Sequence, residues 1–174
     1  MYKRIALFAF IAILIPSISF GRWIYVYFTP SYEALDAIIE RIDEARQSID
    51  VAVYDFTSRP LARAIIKAKK RGVKIRILLD KKANKDSIYS KYRFLRQNGI
   101  TVRFATPHIA WNREGLMHNK FAVVDKKIVI TGSANWTASA FKINDENILI
   151  INRFDIANVY EKEFEYLWKR SFIR

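Results

Sequence analysis

The chain has 174 residues, 51% of them apolar and 14% aromatic, a length that fits one domain and a composition that excludes wholesale disorder. Against 17 Asp and Glu stand 30 Lys and Arg, a formal charge of +13, which favours a polyanionic partner, either nucleic acid or an anionic membrane surface. There is no cysteine, so disulfides, thiolate metal sites and a cysteine nucleophile are excluded.

The N-terminus opens with Lys3 and Arg4, an apolar run from Ile5 to Ile15, a break at Pro16 and small residues at Ser17 and Ser19. That is the layout of a secretory signal. The run is too short to cross a bilayer, which needs roughly 20 apolar residues. Apolar character resumes from Trp23 to Phe28, so an uncleaved, tilted anchor from Ile5 to Phe28 is the alternative, with Arg22 a costly inclusion. Residues 1–21 are read as a signal peptide or membrane anchor and residues 22–174 as the folded domain. Either reading exports the protein to the periplasm or beyond; a buried N-terminal helix is the remaining alternative. Loss of residues 1–21 removes two bases and no acid, leaving +11.

Past residue 30, helix and strand signals alternate. Ser31 can cap a helix whose apolar face is Leu35, Ile38, Ile39, Ile42 and Ala45. Residues Ile49 to Tyr54 read as a strand. Ser58 and Pro60 open a helix that runs to Arg71, where Gly72 stops it. A strand follows from Val73 to Leu79, then a helix from Ser87 to Gln97 with Ile88, Tyr92 and Leu95 on one side. Further strands are expected at Ile100 to Ala105, Met117 to Val124, Ile128 to Thr131 and Glu146 to Ile151. The second and third of these join through the turn Asp125-Lys126-Lys127. A closing helix carries Ile156, Val159, Tyr160, Phe164, Leu167 and Trp168 on one face. The alternation predicts an α/β fold, a mixed β-sheet flanked by helices on both faces.

The chemistry-bearing stretch is Met117 to Asn147. Residues two apart on a strand share a face, so His118 and Lys120 project together, roughly 6–7 Å apart. Gly132 lets the backbone turn after the next strand, bringing Ser133 and Asn135 close as hydrogen-bonding groups. An imidazole, a cation and short neutral donors suit a phosphate undergoing displacement. No ligand set for a metal is apparent, and no cofactor is implied.

The run His118-Asn119-Lys120, then Asp125, then Gly132-Ser133-Ala134-Asn135 resembles the signature of the phospholipase D superfamily at every spacing. With one motif copy, a short chain and Trp136 after the Asn, it is most similar to the small Nuc-like bacterial endonucleases, and among them to the membrane-associated NucT type. The resemblance implies a hydrolase, a metal-independent phosphodiesterase working through a phosphohistidine. It implies that Lys120 and Asn135 hold the non-bridging phosphate oxygens, that Ser133 assists, and that Glu146 orients the nucleophilic imidazole. Asp125 and Gly132 take supporting roles. The mechanism needs two histidines and the motif supplies one, so a symmetric homodimer pairing His118 of each chain is expected. A monomer using His108 as its acid is the rival.

Lys67, Lys69, Lys70 and Arg71 cluster at a helix C-terminus, where the dipole favours cations without any ligand. Lys81, Lys82 and Lys85 follow a strand end and read as a groove edge. Trp111 and Arg113 mix an aromatic ring with charge, the pairing that holds single strands. These five are the candidate substrate-binding residues. The leading expectation is an endonuclease on nucleic acid, single-stranded DNA or RNA favoured. A phospholipid diesterase at a membrane is the second, since similar small dimers include a mitochondrial protein linked to cardiolipin. A nucleic-acid-binding protein without catalysis is the third.

Overall fold

In the computed structural model, residues 23–172 are described. The chain runs β1 (Ile24–Phe28), α1 (Tyr32–Glu44), β2 (Ser48–Val53), α2 (Arg59–Lys70), β3 (Lys74–Leu79), α3 (Lys81–Asn84), α4 (Tyr92–Gln97) and β4 (Thr101–Phe104). It continues with β5 (Ile109–Ala110), β6 (Arg113–Glu114), β7 (Lys120–Val124), β8 (Ile128–Gly132), α5 (Ala138–Lys142), β9 (Asn147–Asn152) and α6 (Phe154–Lys169). Seven strands form one mixed sheet in the order β1-β9-β8-β7-β2-β3-β4. The pairs β2/β3 and β3/β4 are parallel, and every other pair is antiparallel.

Strand alternation divides the core between two faces. On β2, Ile49, Val51 and Val53 meet Leu35, Ile38 and Ile42 of α1 and Leu61 and Ile65 of α2. Ala52 faces the other way, with Phe121 and Val123 of β7, against Ala157, Phe164 and Trp168 of α6. Helices cover both faces, as expected. Asp50 is also buried, at 2% exposure, and Arg76 of β3 donates two N–H bonds to its carboxylate, each 2.7 Å.

Several expectations need correction. The apolar stretch Ile24–Phe28 is an edge strand paired with β9 rather than part of an anchor; residues 1–21 lie outside the described residues. The helix expected from Ser87 begins only at Tyr92, and Ile88 is 81% exposed. The Ser90 hydroxyl donates to Asn84 and the Lys91 amide to the Phe56 carbonyl, which holds this segment out of helix. The strand expected from Met117 starts at Lys120, because the Met117 amide donates to Asp80 Oδ2. The strand expected from Glu146 starts at Asn147. On α6, Phe164 and Trp168 are buried but Val159 is exposed. The short helices α3 and α5 and the β5–β6 hairpin were not anticipated.

Candidate active site

Register places the chemistry at one end of the sheet. Val53, the last residue of β2, lies opposite Lys120, the first of β7, and the Tyr54 amide donates to the Asn119 carbonyl. Gly132, the last of β8, lies opposite Ile148 of β9, and the Ser133 amide donates to the Asn147 carbonyl. At the same end of β1 the Thr29 amide donates to the Glu146 carbonyl. Gly132 has φ +142°, and a Cβ there would stand 2.1 Å from the Asn147 carbonyl oxygen. Only glycine fits where β8 turns so close to β9.

Two side chains gather around Tyr54. Its ring centroid lies 4.8 Å from that of His118, and the Lys120 ammonium sits 5.3 Å from the Tyr54 centroid. Lys120 Nζ also donates to the His118 carbonyl at 2.7 Å. His118 is exposed, and its imidazole has no hydrogen-bond partner among the described residues. Burial pulls the Lys120 ammonium below the usual lysine range, while the charge of Glu146 opposes that shift. Lys120 and Glu146 are therefore electrostatic neighbours.

Ser133 joins the third strand end to the fourth. Its hydroxyl donates to Glu146 Oε2 at 2.5 Å and accepts from the Asn147 amide at 3.0 Å. Asn144 donates to Glu146 Oε1 at 3.3 Å, and the Glu146 amide donates to the Thr29 hydroxyl. Within one chain the carboxylate is thus held by Ser133 and Asn144 rather than by the His118 ring. Asn135 is half-buried, and its Oδ1 is enclosed with no hydrogen-bond partner among the described residues. The next residue, Trp136, donates its amide to the Asp55 carbonyl and packs edge-on against Phe56. Asp55 Oδ1 is likewise enclosed and unpaired. Burial raises its carboxyl above the ordinary range, offset in part by the Phe56 amide.

Asp125 stands at the other end of β7. Its carboxylate accepts from the Arg46, Gln47 and Ser48 amides, tying the β7–β8 turn to the α1–β2 connection. The expected substrate residues divide. Trp111, 94% exposed, and Asn112 form the tip of the β5–β6 hairpin, both with left-handed φ, and Arg113 follows on β6. Lys82 is spent on Glu114 of that hairpin at 3.2 Å, and Lys81 lies 5.8 Å from the Phe172 ring centroid. Lys85 is half-buried at the end of α3. Among the described residues, no group of three or more His, Asp or Glu gathers in a metal-binding arrangement. Tyr54, Asp55 and Thr29 escaped the sequence reading. The available signal was a Tyr-Asp pair at the carboxyl end of a core strand, where sites in α/β sheets collect.

The family model described as "Cardiolipin synthase, PLD-like domain" matches residues 38–168. The mitochondrial cardiolipin hydrolase of Xenopus laevis is 38% identical over 136 residues, covering 78% of this chain and 61% of that protein. The chain thus spans about three fifths of that relative's length. Among solved structures, NucT from Helicobacter pylori superimposes with a TM-score of 0.80 at 29% identity, over 85% of this chain and 98% of that one. The phospholipase D family member Nuc from Salmonella typhimurium gives 0.74 at 28% identity, over 86% and 95%. The PLD-like match over most of the sheet and the two Nuc-type neighbours place this chain in the phospholipase D superfamily of phosphodiesterases, as a Nuc-like member.

Proposed function

We propose that the protein is an endonuclease that cleaves nucleic acid, single strands preferentially, through a phosphohistidine. The observation that carries this reading is the convergence of an unbonded, exposed His118 imidazole with Lys120 and the Ser133–Glu146 pair at one sheet end. The +13 charge of the chain supplies attraction for a phosphate backbone. In the proposed reaction a His118 ring nitrogen attacks phosphorus, a P–N bond forms, and the leaving oxygen departs with a proton from a second imidazole. That imidazole then takes a proton from water, whose oxygen attacks phosphorus and breaks the P–N bond. Lys120 carries three N–H donors and gives one to the His118 carbonyl, leaving two for non-bridging oxygens. Asn135 and Ser133 complete the cradle.

The second imidazole is assigned to His118 of a partner copy, in a homodimer with one shared site. The other histidine of the chain, His108, has its ring against the Arg170 guanidinium, with Nε2 at 2.6 Å, so that nitrogen is already engaged. Residues 1–21 are assigned to export, as a cleaved signal or a retained anchor, so that the enzyme works in the periplasm or outside the cell.

Similarity to a cardiolipin hydrolase supports a second reading, a phospholipid diesterase at a membrane surface. One experiment separates the two. Single-stranded DNA, double-stranded DNA, RNA and cardiolipin vesicles are incubated in EDTA with wild type and His118→Ala. Cleavage of nucleic acid by the wild type alone supports the nuclease. Hydrolysis confined to cardiolipin replaces it with the lipid reading, and no cleavage of any substrate refutes both.

A further inference from the structure

A cleft of about 340 Å³ leads from His118 toward the C-terminal end of α6, with His108 on its far wall and Leu167 and Glu163 of α6 beside it. Beyond His108 stands Arg170, immediately after α6. Its Nη1 approaches His108 Nε2 at 2.6 Å and donates to the Tyr166 hydroxyl at 2.9 Å, and its Nη2 lies 3.4 Å from His108 Nδ1. No carboxylate pairs with Arg170 among the described residues. Its backbone is fixed on both sides. The Thr106 hydroxyl donates to the Arg170 carbonyl, and Phe172 and Phe104 exchange backbone hydrogen bonds. His108 is anchored in turn, since its carbonyl accepts from the Gly115 amide at 2.7 Å. A guanidinium resting on imidazole nitrogens leaves its charge uncompensated, and such a fork matches a phosphate in two-point contact.

We propose that Arg170 and His108 form a second anion subsite, which holds the phosphate neighbouring the scissile one on a nucleic-acid strand. The proposal rests on the nuclease reading above. A polynucleotide presents phosphates at regular intervals, so a strand with one phosphate at His118 and Lys120 carries another along the cleft to Arg170. The arriving anion replaces the imidazole as acceptor for the Arg170 N–H groups. Glu163 is the acid facing the same cleft.

The test compares a ten-residue oligodeoxythymidylate with bis(p-nitrophenyl) phosphate, which has a single phosphate. Arg170→Gln lowers kcat/KM for the oligonucleotide about tenfold more than for the small diester, mainly through KM, and Arg170→Lys restores part of the difference. In a His118→Ala background, the slope of log binding constant against log salt for the oligonucleotide shrinks by about 0.7 on adding Arg170→Gln, the share of one phosphate contact on a single strand. Equal losses on both substrates, or an unchanged salt slope, overturn the subsite. A wild type that cleaves the small diester but no oligonucleotide defeats the nuclease reading itself. A wild type that cleaves both, with Arg170→Gln indistinguishable from it, defeats only the subsite.

Discussion

Ser133 donates its hydroxyl hydrogen to Glu146 at 2.5 Å, and the carboxylate so fixed is the acid whose charge opposes the burial of Lys120. The resemblance assigns Glu146 to the nucleophilic imidazole. Within one chain it serves Ser133 and the lysine instead, which gives it a role in keeping Lys120 protonated.

That role predicts a pH effect with a definite sign. Burial favours the neutral amine of Lys120 and the Glu146 carboxylate favours the ammonium. Glu146→Gln removes the opposing charge, so the Lys120 pKa falls further. In the proposed reaction the ammonium is the form that holds a phosphate oxygen, so the alkaline limb of the kcat/KM profile moves to lower pH in Glu146→Gln. The profiles of the two proteins on bis(p-nitrophenyl) phosphate measure it directly, and superimposable alkaline limbs would remove Glu146 from this role.

The two histidines are predicted to differ sharply. His118→Ala loses at least about 10³-fold in kcat, as loss of a nucleophile does. His108→Ala costs less than about tenfold on the small diester, because its ring is engaged by Arg170. Mixed with wild type and allowed to exchange subunits, His118→Ala chains depress activity beyond simple dilution if the site is shared. Activity that scales with the wild-type fraction alone would mean that each chain carries its own site.

The parts of this site that could be read in the sequence are those fixed by short-range spacing. Lys120 and Gly132 end adjacent strands joined by a tight turn, with His118 just before them and Ser133 and Asn135 just after, so their offsets are nearly their geometry. Tyr54 is more than sixty positions before His118, and its local signal, a Tyr-Asp pair at the end of a core strand, does not say which strand it will meet. Its place is set by the β2/β7 register, a long-range property. The same holds for Ile88, whose helical spacing with Tyr92 and Leu95 is genuine. The start of α4 is decided instead by the bonds from Ser90 to Asn84 and from Lys91 to Phe56. The run Trp23 to Phe28 continues the apolar character of the N-terminus in composition only; pairing with β9 makes Ile24–Phe28 a strand.

Gly132 gives the sharpest steric prediction. An added Cβ would meet the Asn147 carbonyl oxygen at 2.1 Å, in a backbone conformation that side chains disfavour. Gly132→Ala must therefore part the ends of β8 and β9, where Ser133 holds Asn147 and Glu146. The expected cost is at least about 3 kcal/mol in urea unfolding, with activity lost in the molecules that remain folded. A stable, active Gly132→Ala protein would show that the two strand ends can separate without disturbing the site.

The ion pair beneath α6 tests how the sheet tolerates charge. Arg76 grips Asp50 through two bonds of 2.7 Å, meets Glu165 at 2.7 Å and lies over the Phe164 and Trp168 rings. Asp50 raises the Arg76 pKa above its ordinary value, with Glu165 adding to it against the opposing effect of burial. Arg76→Leu leaves the Asp50 carboxylate in the core without its partner, a loss of roughly 3–5 kcal/mol. Replacing both, as Asp50→Leu with Arg76→Leu, removes the stranded charge and should recover most of that loss, because desolvating two ions offsets much of their attraction. Urea denaturation of the two single variants and the double variant gives the coupling between them. Additive losses, with no recovery in the double variant, would mean that the stacking of Arg76 on Phe164 and Trp168, rather than the charge pair, is what α6 depends on.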